Sequence, residues 1–185
     1  MNGEWVDNYR FLARYNRWFN QKLYEACGML PDDERRRDRG AYFSSIHGTL
    51  NHLVWGDMIW LARFASQDRA FTSLAPQLLA LPDGAAHATP VFEDFTALRV
   101  HREQLDQAIE AWLADMPGDF PARTMRYNNT QGVPRAHPAW QALTHFFNHQ
   151  THHRGQVTTL LMQAGVDVGV TDLIVLADLT DAQAL

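Results

Sequence analysis

At 185 residues the chain is long enough to bury one continuous core, and its 46% apolar content shows no break that would divide it, so a single domain over residues 1–185 is expected. Sixteen basic against 21 acidic residues give a formal charge of −5, and the one basic cluster, Arg35, Arg36, Arg37 and Arg39, is interleaved with Asp32, Asp33, Glu34 and Asp38, which argues against a nucleic-acid groove or an anionic-lipid patch. The lone Cys27 excludes an internal disulfide framework and reads as a buried small hydrophobe; with charges from residue 4 onward and no apolar run of about 18 residues, a cytoplasmic protein without a membrane span is expected.

In chain order, Trp5, Leu12, Phe19 and Leu23 recur at helical spacing, with Tyr9, Tyr15 and Asn16 on or beside the same stripe, and predict a first helix from Trp5 to about Ala26, stopped by Gly28 and Pro31. A polar connection through Gly40 leads into "AYFSSIHGTLNHLVWGDMIWLARF", the longest apolar-periodic segment and the second helix. After a loose Ala, Pro and Gly stretch from Leu74 to Pro90, the residues Phe95, Leu98, Leu105, Ile109 and Trp112 mark a third helix, ended by Met116-Pro117-Gly118. "TMRYNNTQGVPRA" alternates around an Asn-Thr-Gln-Gly turn and predicts a short β-hairpin. The fourth helix runs from about Pro138 to Gly165, and "DLIVLADL" near the end reads as a short packing segment. Together these predict an all-α four-helix bundle with long connections, whose chemistry would sit on inward-facing side chains.

Four of nine histidines fall in "HFFNHQTHHRGQ". At about 100° per residue, His149 and His153 share the stripe of Ala142, Phe146, Val157 and Leu160, one turn apart, the spacing at which two imidazoles can grip one ion. His145 falls at the edge of that stripe and His152 further round. On the second helix the wheel turns His52 toward the stripe of Ile46, Leu53 and Trp60 and turns His47 away from it, as a surface or capping residue. His87, His101 and His137 have no partner in the sequence. Ser45, Thr49 and Gly56, all small, flank His52 on its own side, which suits either a cavity or close helix packing. The fourth helix has no Asp or Glu between Trp140 and Ala164, which argues against a di-iron carboxylate arrangement. Clustered inward imidazoles cost free energy unless something satisfies their nitrogens, and a shared divalent ion would satisfy all three.

The segments "YNRWFNQKLYEA", "YFSSIHGTLNHLVWGDMIWLARF" and "HFFNHQTHHRGQVTTLLMQAG" resemble the DinB family of four-helix-bundle metalloproteins, from about Tyr15 through Gly165. The resemblance implies metal ligation by His52, His149 and His153, a zinc or nickel ion with iron as a further candidate, and a homodimer. It also implies thiol-dependent transfer to a small-molecule substrate, since relatives include S-transferases and a maleylpyruvate isomerase that use low-molecular-weight thiols. Gln156 could hydrogen-bond a ligand or a neighbouring histidine, Arg154 could pair with another helix or a dimer partner, and Asn16 is either a polar pocket group or a satisfied core amide. Thr49 is a pocket candidate beside His52, and His145 is the candidate proton acceptor. A metal-dependent transferase is thus the leading expectation, with hydrolysis second. The rival is a non-catalytic metal-binding stress-response or interaction protein built on the same ligands.

Overall fold

The computed structural model describes residues 2–182, with side chains from residue 4 to residue 178. Four long helices form the bundle: α1 (Asn2–Gly28), α3 (Ile46–Ala65), α5 (Phe95–Ala114) and α6 (Ala139–Gln163). Short helices α2 (Asp32–Arg36), α4 (Pro76–Leu79) and α7 (Leu173–Ala182) lie in the connections and after the bundle. The expected hairpin is present as β1 (Thr124–Asn128) and β2 (Pro134–Pro138), antiparallel with Thr124 opposite Pro138 and Asn128 opposite Pro134. Its turn is closed by the Asn129 carboxamide oxygen, which accepts from the amides of Gln131 and Val133. Among the described residues no helix is long and apolar enough to cross a membrane.

Local chemistry sets the helix ends. Ser45 caps α3 by accepting from the Gly48 amide at 3.0 Å. The helix therefore starts at Ile46, five residues later than the periodic pattern suggests. Residues 41–44 instead form a tight turn, with the Ser44 amide on the Ala41 carbonyl at 2.8 Å and Ser44 in the left-handed region at φ +62°. Asp94 caps α5 through the Ala97 amide at 2.7 Å. At the end of α6, Gly165 takes φ +80°, and the amides of Val166 and Gly165 return to the carbonyls of Leu161 and Met162, the double closure that a left-handed glycine permits.

The helix α1 packs along α5 and α6, and α3 lies along α6. Phe19, Leu23, Leu50, Leu61, Leu105, Ile109, Trp112, Phe146 and Leu161 are buried between them, as is Cys27. Trp5 departs from its expected core role: it is 47% exposed and tilts against Trp140, itself 37% exposed, ring centroids 5.7 Å apart. So close to the helix start, the α1 stripe has already run off the core, and Val6 and Tyr9 take the buried positions.

Each bundle helix also sends polar groups to one buried knot. Asp57 of α3 pairs with Arg102 of α5 and accepts from Gln150 of α6 at 2.9 Å. Arg102 reaches Asp106 at 3.0 Å, Asp106 accepts from Asn16 and Asn20 of α1 at 3.1 and 3.0 Å, and Arg154 of α6 donates to Asn16. Arg154 lies over the faces of Phe19 and Tyr15, so it pairs with another helix of its own bundle. Asn16 is thereby a satisfied core amide, 1% exposed, with both ends of its carboxamide held, by Asp106 and by Arg154.

Candidate metal centre

His52 comes from the middle of α3 and His149 and His153 from successive turns of α6, and the packing of these two helices brings the three rings together. Their ring centroids stand 5.1 Å (52 to 149), 4.5 Å (52 to 153) and 4.4 Å (149 to 153) apart. One nitrogen from each lies within 4.8 Å of the other two, and among the described residues this is the group of His, Cys, Asp or Glu side chains so placed.

The outer contacts fix which nitrogen each ring turns inward. The Nδ1 of His52 meets the His87 carbonyl at 3.0 Å, and the Nδ1 of His153 meets the Gln156 carboxamide oxygen at 2.7 Å. Oxygen there can only accept, so each Nδ1 carries the proton and each Nε2 is left as a bare lone pair. The Nε2 atoms of His52 and His149 face each other at 3.1 Å. Two nitrogens bound at about 2.0–2.1 Å to one ion stand roughly 2.9–3.4 Å apart at octahedral to tetrahedral angles, so this spacing fits a shared cation. His149 can offer at most one N–H to the two inward lone pairs of its neighbours, whereas a divalent ion would satisfy all three rings.

Burial keeps these rings neutral. It pushes His149 down to about 3, with the charges of His153, His52, His145 and His152 adding to the effect, and pushes His52 down to about 4. His153 is lowered mainly by burial, which outweighs the opposing bond to Gln156. At neutral pH all three therefore present lone pairs without first losing a proton.

Aromatic and small residues shape the surroundings. Phe43 stacks on His52 with centroids 3.8 Å apart and sets its edge toward His153 at 5.6 Å. It is delivered there by the turn in which Ser44 adopts its left-handed backbone, a strained conformation beside the histidine cluster. Trp55 lies 5.8 Å from the His52 ring. The small residue at 56 answers to packing: a β-carbon on Gly56 would sit 2.8 Å from Cε1 of His149.

Of the remaining sequence candidates, Gln156 joins His153 to His152, whose Nε2 it meets at 3.3 Å. His145 lies at the exposed edge with its ring 5.9 Å from His149 and 4.9 Å from Trp60, and is lowered by burial and then by Arg63. Thr49 is buried, but its hydroxyl donates to the Ser45 carbonyl at 2.8 Å and makes no hydrogen bond to a histidine. His47 corrects the outward expectation: it is 2% exposed and meets the Phe92 carbonyl at 3.0 Å, because the connection after α4 covers the face of α3 that the wheel turned to solvent. His87, without a sequence partner, supplies the backbone carbonyl on His52, a contribution that no side-chain pattern can announce. His101 packs on Phe92 and His137 bonds the Tyr127 hydroxyl at 3.1 Å.

The family model described as the DinB family matches residues 6–184. A curated relative, "Protein DinB" of Bacillus subtilis (strain 168), is 25% identical over 170 residues, covering 87% of this chain and 88% of the relative. No solved structure matches the chain.

Proposed function

The chain belongs to the DinB family, and from that premise we propose that it is a divalent-metal enzyme. In this reading His52, His149 and His153 hold one zinc or nickel ion, and a low-molecular-weight thiol is transferred to a small electrophilic substrate beside it. The observation that carries the proposal is the matched pair of outer contacts on His52 and His153, which leaves two buried Nε2 lone pairs converging with the third ring. Three neutral imidazoles leave coordination positions open, the pattern of a reactive rather than a structural site. When bound, the ion would lower the pKa of a thiol or water and so supply a nucleophile at neutral pH.

The chain's own residues supply the rest. His52 and His153 are oriented by the His87 carbonyl and Gln156, so neither ring need rearrange on loading. Phe43 covers one face of His52 and limits water there. His145, lowered by burial and therefore neutral near pH 7, stands at the exposed edge, where it can take the thiol proton on a ring nitrogen. Cys27 is not that thiol: it is fully buried and its sulfhydryl is pushed up to about 12, so the thiol must come from solution.

Elemental analysis of purified wild type beside His52→Ala, His149→Ala and His153→Ala tests the ligand set. About one equivalent in wild type and its loss in each variant is expected. Full occupancy in His149→Ala or His153→Ala would show the site misassigned. A conjugation assay with common cellular thiols and 1-chloro-2,4-dinitrobenzene then tests catalysis. A rate that disappears on chelation supports the transferase, and no metal-dependent rate with any thiol leaves a non-catalytic metal-binding protein.

A further inference from the structure

A further buried polar cluster, separate from the Asp57 knot, lies on α3 one residue from His52 and is not consumed by the metal centre. Asn51 is 1% exposed, and its carboxamide bonds both the connection that follows α4 and the preceding turn of its own helix. Its Oδ1 accepts from the amides of Val91 and Phe92 at 2.9 and 2.8 Å, and its Nδ2 donates to the carbonyls of Phe92 and His47, both at 3.1 Å. His47, one turn earlier, brings its Nε2 to the same Phe92 carbonyl at 3.0 Å. An exposed, Pro- and Ala-rich segment is thus tied at one point to the helix that carries His52.

Four residues before that tie, the same segment presents the His87 carbonyl to the Nδ1 of His52 at 3.0 Å. The intervening chain is short and stiff. The Thr89 amide bonds the Ala86 carbonyl at 3.0 Å, placing His87 inside a tight turn, and Pro90 fixes its own φ immediately before the tie. The His87 ring rests edge-on to Trp55, centroids 6.3 Å apart. Where the carbonyl stands is therefore decided largely by where Asn51 holds residues 91–92.

We propose that Asn51 and His47 are positioning residues of the metal centre: by pinning Val91 and Phe92 they hold the His87 carbonyl on His52, so that the His52 proton stays on Nδ1 and its Nε2 lone pair faces the ion. The proposal rests on the reading of His52, His149 and His153 as metal ligands. The physical warrant is that an imidazole ligand's affinity depends on the acceptor bonded to its other nitrogen, and loss of such an outer acceptor typically weakens binding by about 10- to 100-fold. A side chain two links away acts on the metal by the same route. The buried amide at 51 and the buried histidine at 47 then have a purpose that a helix built only for packing would not need.

Cobalt(II) is the probe, because its visible bands report ligand geometry. Two variants break the proposed link at different places. Asn51→Ala removes the tie, and a two-glycine insertion between Thr89 and Pro90 keeps every Asn51 bond but frees the carbonyl, in an exposed loop where it leaves the core untouched. Ile109→Val, a methylene lost from the core outside both clusters, controls for general loosening. Altered cobalt bands and a dissociation rate raised about tenfold or more in both linked variants, with the control like wild type, are expected. If the insertion variant, folded and loaded with one equivalent, gives the wild-type spectrum and dissociation rate, the proposal is overturned, whatever Asn51→Ala does. If wild type takes up no cobalt in a His52-dependent manner, the metal-centre reading fails first.

Discussion

The ring of His149 occupies the space that any side chain at position 56 would need, with its Cε1 2.8 Å from where a β-carbon of residue 56 would be. Replacing Gly56 by Ala therefore moves the His149 ring without removing it. Alanine favours the helix by about 1 kcal/mol over glycine, and the obstructing atom is the end of a side chain that can turn, so the metal-free protein should unfold at nearly the wild-type denaturant midpoint. Metal affinity should fall by about tenfold or more, read by competition with a chelating indicator. Undiminished affinity in Gly56→Ala would mean that His149 is free to ligate from elsewhere.

Gln156 acts on His153 as the His87 carbonyl acts on His52, through a 2.7 Å bond to Nδ1. Gln156→Leu keeps the bulk and deletes the acceptor. Metal affinity is expected to drop about 10- to 100-fold, while Gln156→Glu, which restores an acceptor, recovers most of it. Isothermal titration of the three proteins with zinc distinguishes these outcomes.

The metal-free protein should weaken in mild acid. His101 is pushed from 6.5 to about 4, mainly by burial, and His47 is lowered by burial as well. Between about pH 6.5 and 4 the unfolded chain binds protons at these positions that the folded chain refuses, so stability is present at pH 7 and is lost as pH falls through that window. Urea midpoints at pH 7, 6, 5 and 4 should decline stepwise, and His101→Phe should show a shallower decline. A flat profile in wild type would contradict the burial of these rings.

The buried charged knot should be sensitive to loss of any one member. Asp57→Ala leaves Arg102 with one carboxylate fewer and strips the Gln150 amide of its acceptor, all without access to water. Losing one member of such a buried pair costs about 3–5 kcal/mol, measurable by chemical denaturation. Destabilisation below about 1 kcal/mol would show that the site admits solvent.

The convergence of the three histidines is legible because a helix repeats: His149 and His153 are one turn apart on a stripe, and the wheel of α3 turns His52 toward the core. The four long helices follow from the same periodicity, whereas the short α2 and α4 lie in stretches too brief and polar or Pro-rich to show one. His47 was misplaced because its cover comes from residues 91–92, forty-odd positions away, and a helical wheel knows nothing of a distant strap. The link from Asp57 to Arg102 spans 45 residues and was equally hidden. One signal is available: Asp57 is the sole acidic residue of α3 and is flanked there by Gly56 and Met58, a placement that demands a partner. The onset of α3 was missed because apolar spacing cannot see that Ser45 ends the preceding turn.

A bundle held by apolar stripes alone has neighbouring registers of similar energy, since leucine meets leucine again one turn along. Here each long helix contributes an ionised or amide group to a common knot, and sliding any one of them by a turn, about 5.4 Å, would strand a charge in the core. Residues that never touch an imidazole thus decide which imidazoles can meet.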